Sequence, residues 1–138
     1  GTPLRIRNFK STRPWQHVLD LLVGYLLALE KGVSGNAQSS YNFAPVEKSL
    51  TVGEVLEIVR QYYGDDFSWI VDSSREIESL ESKFLDLNPS RAITELGWLP
   101  RHDQENSVTA SLEWWNKVFV DNLPPFQICR EEIIRLVN

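Results

Sequence analysis

The stretch Arg7-Asn8-Phe9-Lys10-Ser11-Thr12-Arg13-Pro14-Trp15-Gln16-His17 gathers residue types from which a binding site is made. Arg13 is the best candidate site residue, because a guanidinium presents a rigid fork of donors that suits two diphosphate oxygens. The competing reading is an exposed surface arginine. Arg5, Arg7, Lys10 and Arg13 form a small local cluster of positive charge, enough for one bound phosphate group. Asn8 can read a base or a sugar hydroxyl, but asparagine is also a common turn residue. His17 has the chemistry of a ligand or an acid–base group; a buried histidine that ties a loop to the backbone is the favoured alternative. Trp15 reads as a wall of the pocket or as core before it reads as a stacking platform. Cys129 stands alone with no metal-ligand spacing around it.

The elements that must position these residues mix short strands with helices. Leu4-Arg5-Ile6-Arg7 alternates apolar and polar residues as a half-buried strand does, and Asn8 to Thr12 reads as a turn. Residues 19–31 have a helical pattern that is apolar on nearly every side, with Gly32 as its stop. Such a helix should be central and largely buried, or covered by a further part of the protein. Tyr41-Asn42-Phe43 is a short strand candidate ended by Pro45. Thr51 and Glu54 have the spacing of a capping box opening a helix to about Tyr63, closed by Gly64. Phe67 to Val71 and Phe84 to Leu87 read as strands, and Asp72 to Lys83 as a charged surface loop between them. Asn88 with Pro89 opens a short helix ending at Gly97. Trp98-Leu99-Pro100 reads as a linker. Gln104 to about Val120 forms an amphipathic helix with Val108, Leu112, Trp115 and Phe119 on one face. Pro124-Pro125 breaks the chain before a last helix from Glu131 to Val137.

Bulk composition narrows the function classes. The 138 residues are 42% hydrophobic and 24% charged, ordinary values for one folded domain. The net charge of −5 and the lack of a basic stripe argue against a nucleic-acid binder. The longest apolar run, Val18 to Leu29, is too short to span a bilayer. With one cysteine and no visible signal-peptide pattern, the expectation is a soluble, cytoplasmic protein with no membrane partner. The chain has no Met and starts at Gly1, so it reads as a processed or truncated piece.

The arm from Arg7 to Asp20 resembles the signature of CDP-glucose 4,6-dehydratases, within the extended short-chain dehydrogenase/reductase family. The family pattern is Arg-Asn-Pro, three residues, then Arg-Pro-Trp-Gln-His-Val-Leu; Phe9 departs from the usual Pro. Gly1-Thr2-Pro3 is similar to the family's lead-in. Tyr41-Asn42-Phe43-Ala44-Pro45 resembles Trp-Asn-Phe-Gly-Pro. Leu85 to Ala92 resembles Leu-x-Leu-Asp-x-Ser-Lys-Ala, and Leu96-Gly97-Trp98-Leu99-Pro100 matches Leu-Gly-Trp-x-Pro. The likeness covers almost the whole chain.

The resemblance implies an α/β architecture, and within it the C-terminal substrate-binding subdomain of a Rossmann-type enzyme, a single domain over residues 1–138. It implies an NAD cofactor bound mainly by an N-terminal Rossmann domain that also holds the catalytic Tyr-x-x-x-Lys. This chain carries neither that pair nor a dinucleotide fingerprint: Gly32-Val33-Ser34-Gly35 lacks the third glycine and follows a helix. No catalytic residue is therefore expected here, and no turnover from the chain alone. The implied partner is a nucleoside-diphosphate sugar, in an enzyme that is a homo-oligomer at full length. Arg13 takes the family's diphosphate-contacting position, with Arg7, Asn8 and His17 beside it. Glu81 takes an acidic position that contacts the ribose hydroxyls in related epimerases; the alternative is one more charge on the loop of Glu76, Glu78 and Glu81. Three residues before Glu81 the epimerases carry Arg and the dehydratases His, whereas this chain has Glu78. Two other readings stay open: part of a sugar-nucleotide epimerase, or a non-catalytic interaction domain that kept the fold, as the changes at Phe9, Glu78 and Leu80 suggest.

Overall fold

A computed structural model describes residues 2–36, 38, 40–72 and 83–137. Strand β1 (Leu4–Ile6) is followed by β2 (Thr12–Arg13), helix α1 (Val18–Val33), β3 (Leu50–Thr51), α2 (Val52–Tyr63), β4 (Trp69–Val71), α3 (Ser90–Leu96), α4 (Gln104–Trp115) and α5 (Pro125–Val137). A 3₁₀ turn, Gly64–Asp66, closes α2, and a π-helical turn, Asn116–Val120, extends α4. The expected pattern of several helices with short strands is what the chain forms. The strands make two small pairs: β1 with β4 in parallel, Leu4 opposite Trp69, and β2 with β3 antiparallel, Thr12 opposite Thr51.

The capping box at α2 forms as its spacing predicts. The Thr51 hydroxyl accepts the Glu54 amide at 3.1 Å, and Glu54 accepts the Thr51 amide at 2.6 Å. The backbone bond, then the Thr51 hydroxyl, holds the Glu54 carboxyl below its ordinary value, against a smaller opposing effect of burial. The next two free amides of this helix end also find partners: Val52 donates to the Ser11 carbonyl and Gly53 to that of Phe9, both at 2.9 Å. The amino end of α2 thus clamps the arm that carries the candidate site. Gly53 is required there, because a Cβ would stand 2.5 Å from the Phe9 ring. The same ring stacks against Trp69, 6.5 Å away, so the departure to Phe9 is absorbed by packing.

The core centres on Phe43, Ala92 and Trp98, flanked by Leu21, Leu27 and Leu96. Trp98 and Phe43 meet edge to face at 5.1 Å, and the Trp98 indole donates to the Asp20 carbonyl at 2.8 Å. The segment expected to be a linker therefore supplies a tryptophan only 1% exposed.

Several expectations need correction. Helix α1 is not largely buried: only Asp20 and Gly24 are, while Val18, Leu22, Tyr25, Leu26, Leu29 and Val33 form an exposed stripe. A helix that is apolar all round needs neighbours on every side, and here packing reaches one face. Helix α1 also runs through Gly32 to Val33 and caps at Ser34. Tyr41–Phe43 is not a strand, and the expected strand at Phe84 shrinks to a single bridge with Thr12. Helix α3 starts one residue later than expected, with Pro89 in the cap position, although Asn88 Oδ1 still accepts the Ser90 amide at 2.9 Å. Helix α5 begins at Pro125 and not at Glu131, because proline is well tolerated in a first helical turn. On α4 the fully buried residues are Gln104 and Ser107, while Trp115 and Phe119 are more than half exposed. The π turn shifts the angular register of residues 116–120, so a 3.6-residue projection misplaces their faces.

Candidate nucleotide-binding site

Arg7 and Asn8 line a cavity of about 480 Å³ together with Phe9, Lys10, Ser11, Val71, Lys83 and Phe84. Three of these side chains are cationic and none is acidic. The amide of Thr12 donates to the Lys83 carbonyl at 3.0 Å, and Thr12 bridges Phe84, so β2 draws the segment at residues 83–84 onto the arm. The parallel pair β1–β4 brings up Val71 on the other side. Arg5 belongs to the same local cluster of charge, but its guanidinium is engaged with Asp72 at 3.1 Å. The cavity thus combines cations with aromatic walls, a lining suited to an anionic ligand that carries a flat ring.

Arg13 is not among the lining residues of this cavity. It lies on β2 opposite Leu50, half-buried, with one guanidinium nitrogen donating to the Thr12 carbonyl at 2.7 Å. Trp15 is tied down structurally, its indole donating to the Leu50 carbonyl at 3.2 Å. Glu81, with Glu78, Leu80 and Arg75, lies outside the described residues.

His17 is placed elsewhere. It lines a second cavity of about 360 Å³ with Arg101, His102, Glu113, Glu132 and Arg135. Its Nδ1 accepts the Leu19 amide at 3.3 Å, which makes it the N-cap of α1. Burial, then the neighbouring His102, pulls its pKa below the ordinary value, against an opposing pull from Asp20. His17 is buried and bonded to the backbone, and it lines a different cavity from Arg7 and Asn8.

Three groups escaped the sequence reading. Lys83 ends a charged stretch of sequence and shows no local pattern; the bonds from Thr12 bring it to the arm that carries Arg7. Asp20, 2% exposed, accepts the amides of Arg101 and His102, each at 3.1 Å, and lies 3.0 Å from His102 Nδ1. Asp103 caps α4 by accepting the Asn106 amide at 2.7 Å. An acidic residue at the start of a helical run was the available signal.

No protein-family model matches the chain. Among curated proteins it is similar to the CDP-glucose 4,6-dehydratase of Salmonella typhimurium, 36% identical over 112 residues, or 79% of this chain and 31% of that protein. In fold it is similar to UDP-glucose-4-epimerase from Stenotrophomonas maltophila, solved with NAD and formylated UDP-arabinopyranose. That comparison has a TM-score of 0.73 at 17% identity and covers 88% of this chain and 37% of the other. UDP-glucuronic acid 4-epimerase from Bacillus cereus, in complex with UDP-glucuronic acid and NAD, gives a TM-score of 0.61 at 17% identity, over 86% of this chain and 36% of the other. WbmG from Bordetella bronchiseptica, in complex with NAD and UDP, gives 0.61 at 20% identity, over 84% and 34%. The chain spans about a third of the length of each of these proteins. In sequence the chain is thus similar to about a third of a CDP-glucose 4,6-dehydratase, and in fold to the matching third of these three solved structures.

Proposed function

We propose that this chain is the nucleotide-sugar-binding portion of an NAD-dependent sugar-nucleotide 4,6-dehydratase, forming one domain over residues 1–138 and inactive alone. The observation that carries the reading is the cavity at Arg7, Asn8, Lys10, Lys83 and Phe84, which offers cations and aromatic walls with no acidic residue in its described lining. Arg13 follows the cavity-lining Ser11 by two residues, on β2. In this reading the cations hold the diphosphate, and the aromatic side chains flank the base. The remote nucleotide then supplies the binding energy that orients the sugar for reaction elsewhere in the enzyme.

NAD supplies the hydride chemistry when bound, and the residues described here do not fit it. The chain's glycine-rich turn, Gly32 to Gly35, lies at the carboxyl end of α1. That is the negative pole of the helix, the wrong end for a pyrophosphate. We therefore assign NAD to a separate Rossmann domain of the complete enzyme, a cytoplasmic homo-oligomer in this reading. The reading as an epimerase draws on the three solved neighbours, two of which are named as epimerases.

The test is calorimetric titration of the complete protein with CDP-glucose, UDP-glucose and CDP, followed by turnover with NAD. Binding of CDP-glucose with formation of a 4-keto-6-deoxy product supports the dehydratase. Binding with interconversion of C4 epimers moves the assignment to the epimerase. No binding of any nucleotide would leave an interaction domain that kept only the fold.

A further inference from the structure

The chain has two histidines, and the fold puts them in contact. The rings of His17, on the arm before α1, and His102, on the turn before α4, have centroids 4.5 Å apart. His17 is 5% exposed. Because its Nδ1 accepts the Leu19 amide, the proton of the neutral ring resides on Nε2. His102 faces the buried Asp20 carboxylate through Nδ1. Both histidines line the cavity that α5 flanks with Glu132 and Arg135. The Arg101 guanidinium ties the same turn to α5 by donating to the Leu136 carbonyl.

We propose that His17 and His102 form an acid-sensitive clasp joining the arm before α1, the turn before α4, and α5. A proton added to the neutral His17 has only Nδ1 to occupy, so it removes the acceptor of the Leu19 amide and uncaps α1. It also puts a positive charge into a site that already holds His102. The charged groups around the pair come from every element packed there: Asp20 from α1, Arg101 from the turn, Glu113 from α4, Lys117 from the π turn, and Glu132 and Arg135 from α5. Asp20, Glu113 and Glu132 favour the proton, and the two arginines and Lys117 oppose it. Burial resists it further and outweighs Asp20. Burial also raises the Glu132 carboxyl, so acid removes a counter-charge from the same cavity as it charges the histidine. The clasp anchors the carboxyl end of the arm that begins at Arg7, and its release loosens that end.

The experiment follows the imidazole resonances of His17 and His102 and the Leu19 amide in the complete protein, from about pH 8 to about pH 5. The variants H17N and H102Q assign the two rings. The expected result is that His17 titrates below the reference value of 6.5 and that the Leu19 amide moves with the same midpoint. Relative to its intrinsic rate at the same pH, exchange of that amide should then be roughly fivefold faster, the loss of one helix cap. Asparagine caps without titrating, so in H17N the acid response of Leu19 disappears. In H102Q the His17 midpoint moves up, because the ring that opposes its protonation is gone. The clasp is wrong if the Leu19 amide stays still while His17 titrates, if His17 titrates at or above 6.5, or if H17N keeps the acid response. Should H17N fail to fold, an unmoved His17 midpoint in H102Q is enough to reject the coupling.

Discussion

The two cavities flanking the Arg7–Asp20 arm are similar in size and opposite in electrostatics. The first, at about 480 Å³, is lined by Arg7, Lys10 and Lys83 with no acidic side chain among its described residues. The second, at about 360 Å³, balances Arg101 and Arg135 with Glu113 and Glu132 beside a part-buried His102 that faces the buried Asp20 carboxylate. Cations with no acidic side chain among the described residues of their cavity suit an external anion, whereas compensated charges hold elements of the fold to one another. In the proposed reading, one arm of sequence serves recognition at its amino end and assembly at its carboxyl end. The signature resemblance runs through both halves, so resemblance alone does not tell them apart.

The contrast is sharpest when each cavity is damaged separately. Trp98→Ala removes a buried ring that also donates to the Asp20 carbonyl, on the assembly side. It should cost about 3–5 kcal/mol of stability, read by chemical denaturation. Lys83→Ala or Arg7→Ala should each weaken binding of CDP by tenfold or more, from the loss of a charge-assisted bond of about 1.5–3 kcal/mol. Thermal unfolding should scarcely move in either variant. If Lys83→Ala destabilises the fold and leaves affinity intact, the division between the two cavities is wrong. Thr51→Ala opens the capping box that clamps the arm, and should cost about 1 kcal/mol in denaturation midpoint.

Smaller effects test the second cavity and the exposed stripe. The His17 pKa lies below its unfolded value, so the unfolded chain takes up the proton first. Its contribution to stability is complete above pH 6.5 and is lost as pH falls from there through the folded value. The Glu132 carboxyl is shifted up by burial, so its charged form is a penalty at neutral pH. Glu132→Gln should therefore stabilise the protein at neutral pH, by less than about 0.5 kcal/mol because the group is mostly exposed and screened. The advantage should vanish below the ordinary carboxyl value of 4.5. Leu26→Lys, on the open face of α1, should change stability by under about 0.5 kcal/mol. In sedimentation of the isolated chain it should reduce self-association, which the apolar stripe otherwise favours.

What could be read from the sequence was local. Thr51 and Glu54 stand three residues apart and satisfy each other's backbone wherever the helix ends up, so their pattern was sufficient. The helical run from Leu19 and the stop at Gly97 follow from periodicity and from glycine's ease at positive φ, here +65°. The likeness to CDP-glucose 4,6-dehydratases was written in contiguous residues around Arg13. By contrast, β2 and β3 hold two residues each, too short to show alternation. The partners of Asp20 lie at Arg101 and His102, a pairing no local pattern encodes. Bonds within one turn of helix are fixed by neighbours along the chain. Which cation meets Arg7, which face of α1 is covered, and which histidine meets which carboxylate depend on contacts that exist only once the elements pack. The sequence by itself therefore determined where the chain turns helical, the capping box of α2 and the family likeness; the tertiary structure alone decided that the arm splits into a cationic cavity and a charge-balanced one.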